Sequence, residues 1–206
     1  SITSLVIVLS VFGINKLEVE NSFINYFKKN TEIYKGMKLI DDKLGGTTPL
    51  EIILKFPAKT EKVKEDDDFD DWDEDENSNG EKYWFTKDKV DKIEKVHNYL
   101  DSLDSVGKVL SFSSILQVAK KLNNNKELGT LEMGVLYSKI PESIKKEIID
   151  PYISIKDNQA RISLRIVDSK KELKRNELIK KIEYDLENKL NLKKDEFKLA
   201  GVLILF

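Results

Sequence analysis

Two runs of alternating apolar side chains constrain the fold of this chain more than any other feature of its sequence. The first runs from Pro49 to Phe56 and the second from Gln159 to Val167. A period of two places every second side chain on the same face, so each run predicts a β-strand with one buried face. Each run is followed by a helical pattern and then by a further apolar run, so the order strand–helix–strand occurs twice.

The remaining elements follow from helical periodicity and from capping residues. Thr86 is a predicted N-cap, and short helices are predicted at Ser113–Leu122, Leu131–Tyr137 and Pro141–Ile149. The two strand–helix–strand units are predicted in this order: strand 49–56, helix 86–103, strand 106–112, strand 159–167, helix 174–190 and strand 197–206. This pattern is typical of an α+β, ferredoxin-like split βαβ domain with helices on one face of a four-stranded sheet. Residues 113–150 form a helical insertion between the two halves.

A further helix is predicted before the first strand. Thr31 is a plausible N-cap, and the apolar residues Ile33, Met37, Ile40 and Leu44 recur at helical spacing. We expect these four side chains to form the inner face of the helix. Gly45 and Gly46 are expected to end it, because glycine readily adopts the positive φ that is common at helix C-termini.

The chain opens with an uncharged apolar run at residues 2–14, followed by a short predicted strand at 15–20. No basic segment precedes the apolar run and no small-residue cleavage site follows it, which disfavours a signal peptide. As a helix the run would reach roughly 20 Å, less than the roughly 30 Å of a bilayer core. The residues alone leave two interpretations open: a buried core element, or the outer half of a membrane helix.

The composition excludes several classes of function. The chain has 206 residues, which suits one domain, and its formal net charge of −2 provides no global basic field for nucleic acid or for an anionic membrane surface. It has no cysteine, which excludes disulfides, thiolate zinc sites and thiol catalysis. Lysine and arginine are not interleaved with aromatic residues, so no nucleic-acid partner is predicted.

The polar side chains form no recognisable catalytic or metal-binding motif. The single histidine, His97, lies on the inner edge of a predicted helix, a position typical of a packed and hydrogen-bonded residue. Gly45 to Thr48 suggests a phosphate cradle, but it leads from a helix into a strand, the reverse of the order that binds phosphate. We therefore predict no enzymatic activity, no catalytic or metal-binding residue and no cofactor, and the substrate-binding residues stay unassigned.

An acidic stretch at Glu65–Glu76 predicts a mobile surface loop over residues 60–82. Asp75 to Gly80 matches the first half of an EF-hand calcium loop, but Thr86 stands where the bidentate glutamate belongs. Nonspecific attraction of cations is the simpler interpretation. Four aromatic residues near the stretch either contact a substrate or membrane or anchor the loop to the core, and we favour the anchor; they are Trp72, Tyr83, Trp84 and Phe85.

Four segments resemble the first porter domain of the resistance-nodulation-division (RND) superfamily of exporters, in the hydrophobe/amphiphile, MMPL-like branch. One is similar to the stretch that follows the family's first membrane helix, and two others contain its Gly-Gly-Thr-x-Pro-Leu turn and its Leu-x-x-Val-Gly-x-Val-x-Ser segment. In chain order the four are Leu17–Phe27, Leu44–Glu51, Tyr99–Ser111 and Gln159–Arg165. They keep the family's order from about residue 15 to residue 206. The acidic stretch departs from the family pattern, which leaves its role open.

The resemblance implies one domain of a proton-driven efflux transporter in a membrane. Residues 1–14 would be the truncated outer end of the first transmembrane helix, and residues 15–206 a porter domain on the extracytoplasmic (periplasmic or external) side. Its partners would be hydrophobic or amphiphilic small molecules, including lipids, and the rest of the transporter chain with its second porter domain. A homo-oligomer is compatible with this interpretation. The alternatives are a membrane-anchored protein-binding or adaptor module and a calcium-responsive surface domain.

Overall fold

The chain folds into helices packed on an antiparallel sheet. A computed structural model describes residue 10 and residues 23–57, 84–126, 129–170 and 174–201. In those ranges the strands are β1 (Thr48–Lys55), β2 (Val106–Leu110), β3 (Ile153–Ser154), β4 (Gln159–Ile166) and β5 (Phe197–Ala200). All their pairings are antiparallel. The predicted α+β class is therefore confirmed.

The helices lie close to their predicted positions. After a 3₁₀ turn at Phe23–Tyr26, they are α1 (Glu32–Lys43), α2 (Lys87–Asp101), α3 (Phe112–Leu122), α4 (Thr130–Lys139), α5 (Glu142–Ile144, continued by a π-helix at Lys145–Ile149) and α6 (Arg175–Asn188). Phe112, which was predicted to end a strand, instead begins α3, because Ser111 caps that helix. Pro141 is the N-cap of α5 and not a first-turn residue.

The strand order is β2-β4-β1-β5, and β3 pairs with the first residues of β4. Helix α2 follows β1 and leads to β2, yet β4 lies between these two strands in the sheet. Helix α6 follows β4 and leads to β5, and β1 lies between them. Each strand–helix–strand unit is thus split by a strand of the other unit. β3, which has only two residues, was not predicted.

The core lies on one face of the sheet. β1 and β4 align so that Leu50 faces Leu164 and Ile52 faces Ile162, and all four side chains are fully buried. Helices α2 and α6 cover this face with apolar side chains, among them Ile93, Leu100, Ile182 and Leu186. Burying such a side chain contributes about 1.5–3 kcal/mol. The other face carries exposed or half-buried side chains such as Glu51 and Arg161, whose charged groups lie 3.7 Å apart.

A partly buried polar contact joins the two covering helices. The Tyr99 hydroxyl on α2 donates a 2.7 Å hydrogen bond to the carboxylate of Asp185 on α6. Burial and this hydrogen bond raise the pKa of Tyr99 well above its usual range. The same hydrogen bond and an ion pair with Lys189 lower the pKa of Asp185. The pair therefore stays a neutral phenol and a carboxylate, which fixes how α2 and α6 lie against each other.

Helix α1 is placed differently from its prediction. It begins after Thr31, whose side chain accepts a hydrogen bond from the Tyr34 amide, and ends before Gly45, so its bounds are as expected. The predicted inner face is wrong, because Ile33 is 56% exposed and Leu44 is 60% exposed. The buried residue of α1 is instead Asp41, which is 1% exposed.

Asp41 ties α1 to the turn between β4 and α6. Its carboxylate accepts hydrogen bonds from the backbone amides of Asp168 (2.9 Å) and Ser169 (2.7 Å) and from the Thr47 hydroxyl (2.8 Å). Burial alone would raise the pKa of Asp41, but these hydrogen bonds outweigh it and lower the pKa. The attachment of α1 to the domain is therefore polar.

Some predictions lie outside the described residues. They concern the apolar run at 2–14 apart from residue 10, the strand at 15–20, the acidic loop at 60–82 and the apolar end of the last strand at 202–206. Within the described ranges, no helix combines the length and the apolar character that crossing a bilayer requires.

We predict that Gly107→Ala destabilises the domain, because a Cβ at Gly107 would overlap the Gly45 carbonyl group where the turn after α1 meets β2. Overpacking of this kind costs about 1–3 kcal/mol. The matched control is Gly36→Ala on α1, where a Cβ would meet open space. Urea unfolding followed by circular dichroism should show a lower midpoint for the first variant only; equal midpoints for both would contradict this close approach.

Candidate functional site

A groove of about 490 Å³ lies between α2, α3 and α4. Small-molecule sites commonly have volumes of about 300–1,000 Å³. The residues that line it come from all three helices and the residue before α4: Lys87, Val90, Asp91, Glu94, Ser113, Leu116, Gln117, Lys120, Gly129 and Met133. The groove therefore joins one covering helix of the sheet to the helical insertion.

The lining combines apolar and charged side chains. Val90 and Met133 are buried members of the core, and Leu116 is half-buried against it. Two acidic and two basic residues also line the groove: Asp91, Glu94, Lys87 and Lys120. Such a surface can hold a molecule with an apolar body and a polar end, since the apolar part removes area from water while the polar end keeps charged neighbours.

Ser111 fixes the start of α3, which forms one wall of the groove. Its hydroxyl accepts a 3.0 Å hydrogen bond from the Ser113 amide, and its own amide donates to the Ser114 hydroxyl at 3.2 Å. This reciprocal pattern satisfies amides that a helix N-terminus otherwise leaves free. The direction of α3, and with it the position of Leu116, is set by this cap.

His97 on α2 reaches the same cap. Its Nδ1 lies 2.9 Å from the Ser111 hydroxyl oxygen, and both residues are buried. Burial lowers the pKa of His97, although the charges of Asp101 and Glu94 act in the opposite direction. The prediction of a packed, hydrogen-bonded histidine is confirmed, and this side chain joins α2 to α3.

Aromatic side chains in the core pack against two of the helices that form the groove. Phe85 stacks against Phe112 of α3 and Tyr137 of α4, with ring centroids 5.2 Å and 4.9 Å apart. Trp84 packs edge-on against Phe85 and Phe56. Trp84 and Phe85 are buried in the core, whereas the loop that they are predicted to anchor lies outside the described residues. Trp72 and Tyr83, which were grouped with them, lie outside the described residues.

The other candidate sites from the sequence do not meet at the groove. In the turn after α1, the Gly46 amide donates to the Asp41 carbonyl and the Thr47 hydroxyl to the Asp41 carboxylate, so these groups secure α1. The calcium-like segment at residues 75–80 falls outside the described ranges. Among the residues that are described, no group of three or more His, Cys, Asp or Glu is arranged to hold a metal ion.

The groove itself was not predicted, because its residues belong to three separate helices. A partial signal was present: Lys87, Asp91 and Glu94 follow one another at spacings of four and three, which places them on one face of α2. Helical periodicity predicts that these residues share a face of α2, but it does not predict how the neighbouring helices pack beside that face to form a groove. The position of α4 depends on Phe85 and Tyr137, which are far apart in the chain.

We predict that His97 makes the domain less stable below neutral pH. Because the folded state lowers the pKa of His97 while the unfolded chain keeps a value near 6.5, the free energy of unfolding should fall as the pH drops below about 6.5. His97→Asn can keep the hydrogen bond to Ser111 but does not titrate. Chemical unfolding at about pH 7 and pH 5 should show a loss of stability in the parent chain and a smaller one in the variant. Equal losses would contradict the assignment to His97.

Comparison with known proteins adds no relative: no protein-family model, curated protein or solved structure matches this chain.

Proposed function

We propose that this chain is an extracytoplasmic, substrate-handling domain of an RND-type exporter, and that it contacts hydrophobic or amphiphilic molecules through the groove between α2, α3 and α4. The observation that carries the proposal is the composition of this groove. An apolar floor from Val90, Leu116 and Met133 lies beside charged residues of both signs. We propose that the domain binds its substrate and performs no chemistry on it.

The strand order supports the ferredoxin-like part of this proposal. In a split βαβ arrangement each strand–helix–strand unit encloses a strand of the other unit. The order β2-β4-β1-β5 has this property, and the helical insertion from α3 to the π-helix stands between the two halves of the chain. This is the arrangement that the resemblance to the porter domain implies. The fold alone does not indicate transport, since one fold serves many functions. That part of the proposal comes from the resemblance of the sequence to the RND porter domain.

The groove suits an amphiphile because its lining offers both apolar and charged groups. Leu116 is half-buried, so it still exposes apolar area that an alkyl chain can remove from water. The charged side chains of Lys87, Asp91, Glu94 and Lys120 belong to the same lining and can contact the polar end of the ligand.

We expect a single-chain amphiphile, dodecylphosphocholine below its micelle concentration, to bind the groove weakly. In a titration of the ¹⁵N-labelled chain, the amides that shift should cluster in residues 87–94, 113–120 and 129–133. Leu116→Gln should weaken the affinity about tenfold, which corresponds to about 1.4 kcal/mol, because it replaces apolar contact area at the groove.

The matched control is Leu122→Gln, the same change on the same helix at a side chain that is 83% exposed and outside the groove lining. It should leave the affinity unchanged, and circular dichroism should show that both variants are folded. Shifts spread over the whole surface, or equal affinities for the two variants, would refute the groove. A sub-micromolar, stoichiometric affinity for a polar metabolite would refute the wider proposal.

A further inference from the structure

Helix α1 carries an apolar stripe that the described part of the chain leaves largely exposed. Ile33, Ile40 and Leu44 are 56%, 38% and 60% exposed, and Met37 lies between them on the same face. None of these side chains packs against the hydrophobic core of the described residues. Exposed apolar residues are ordinary when they are scattered, but a continuous stripe indicates a surface that another phase or molecule covers.

The stripe is free because α1 is held by a different side of the helix. Successive residues are rotated by about 100° around a helix axis, so Asp41, which faces the domain, points about 100° away from Ile40 and about 40° away from Met37, the half-buried residue at the edge of the stripe. The hydrogen bonds from Asp41 to the turn at Asp168 and Ser169 hold the helix in place without using its apolar side chains. The stripe therefore stays exposed on a helix whose position is already fixed.

The segment that carries the stripe is basic overall, although Lys35 and Lys38 point about 160° away from Ile33 and Ile40. Residues 28–44 contain five lysines at positions 28, 29, 35, 38 and 43, against the surface acids Glu32 and Asp42 and the inward-facing Asp41. Glu32 and Asp42 are paired with Lys35 and Lys38. An excess of lysine beside an exposed apolar stripe is typical of helices that lie in the interface of an anionic membrane.

We infer that α1 lies flat on the surface of an anionic lipid bilayer, with Ile33, Ile40 and Leu44 among the upper acyl chains and Lys28, Lys29 and Lys43 among the headgroups. The inference rests on the proposed function, which puts this domain beside a membrane. A helix of 12 residues is about 18 Å long, so all three turns of the stripe can reach the interface at once. Helix α1 thereby sets how the domain is oriented on the membrane.

The absence of cysteine from the chain allows a direct test. Single cysteines are introduced as Ile33→Cys, Leu44→Cys and Lys35→Cys, and each is labelled with the environment-sensitive dye NBD. The side chain of Lys35 points about 160° away from that of Ile33, so position 35 serves as the control on the opposite face of the helix. The three proteins are mixed with vesicles of phosphatidylcholine alone or of phosphatidylcholine with phosphatidylglycerol, and co-sedimentation measures how much protein is bound.

We expect a blue shift of the dye at positions 33 and 44 on anionic vesicles, a smaller shift on neutral ones and little shift at position 35. High salt should reduce the shift, because it screens the lysines. If the chain co-sediments but the dyes at 33 and 44 stay in water, the inference is wrong, while binding at the groove is unaffected. A blue shift at 33 and 44 that grows with protein concentration in the absence of lipid would assign the stripe to a second copy of the chain and would also overturn it.

Discussion

The pairing of β1 with β4 is the constraint on which the rest of the structure depends. Leu50 faces Leu164, Ile52 faces Ile162 and Leu54 faces Ala160, so one register fills the centre of the core. If one of these strands shifted by one residue, its buried side chains would turn to the solvent face, and Glu51 from β1 or Arg161 from β4 would turn inside. Because β1 and β4 are central, β5 and β2 must add at opposite edges, and α2 and α6 must cover the same face.

Polar side chains that are buried or half-buried connect neighbouring elements, and Asn158 is one example. It adopts a positive φ of 52° before β4, a conformation that asparagine tolerates better than most residues. Its amide nitrogen donates to the carbonyl oxygens of Phe56 and Pro57, and its oxygen accepts from Trp84 and Lys89. One side chain thus joins the end of β1 to the start of α2. His97 with Ser111, and Tyr99 with Asp185, act in the same way elsewhere.

The parts of the fold that depend on local pattern could be predicted, and the parts that depend on distant partners could not. The alternation of apolar and polar residues predicted the ends of β1 and β4 to within one residue, and Thr31 as an N-cap predicted where α1 begins. The prediction of which face of α1 is buried was wrong, because its apolar stripe matches that of a core helix. The backbone amides that bind Asp41 lie more than a hundred residues away in the sequence, so no local pattern indicates them. β3 has too few residues for a pattern, and the groove exists only once three helices have packed.

Helix α1 is attached to the domain by Asp41 and exposes a separate set of apolar side chains, and this separation has a physical consequence. If the stripe of Ile33, Ile40 and Leu44 attached the helix to the domain, any second surface that bound the stripe would first have to release it. Because Asp41 attaches the helix through hydrogen bonds, the stripe can bind another surface while the domain stays folded. The groove follows the same rule: Phe85 and His97 position its helices from the buried side, which leaves Leu116 half-buried on a surface already in place. Both surfaces are therefore preorganised, and binding at either does not require the core to rearrange.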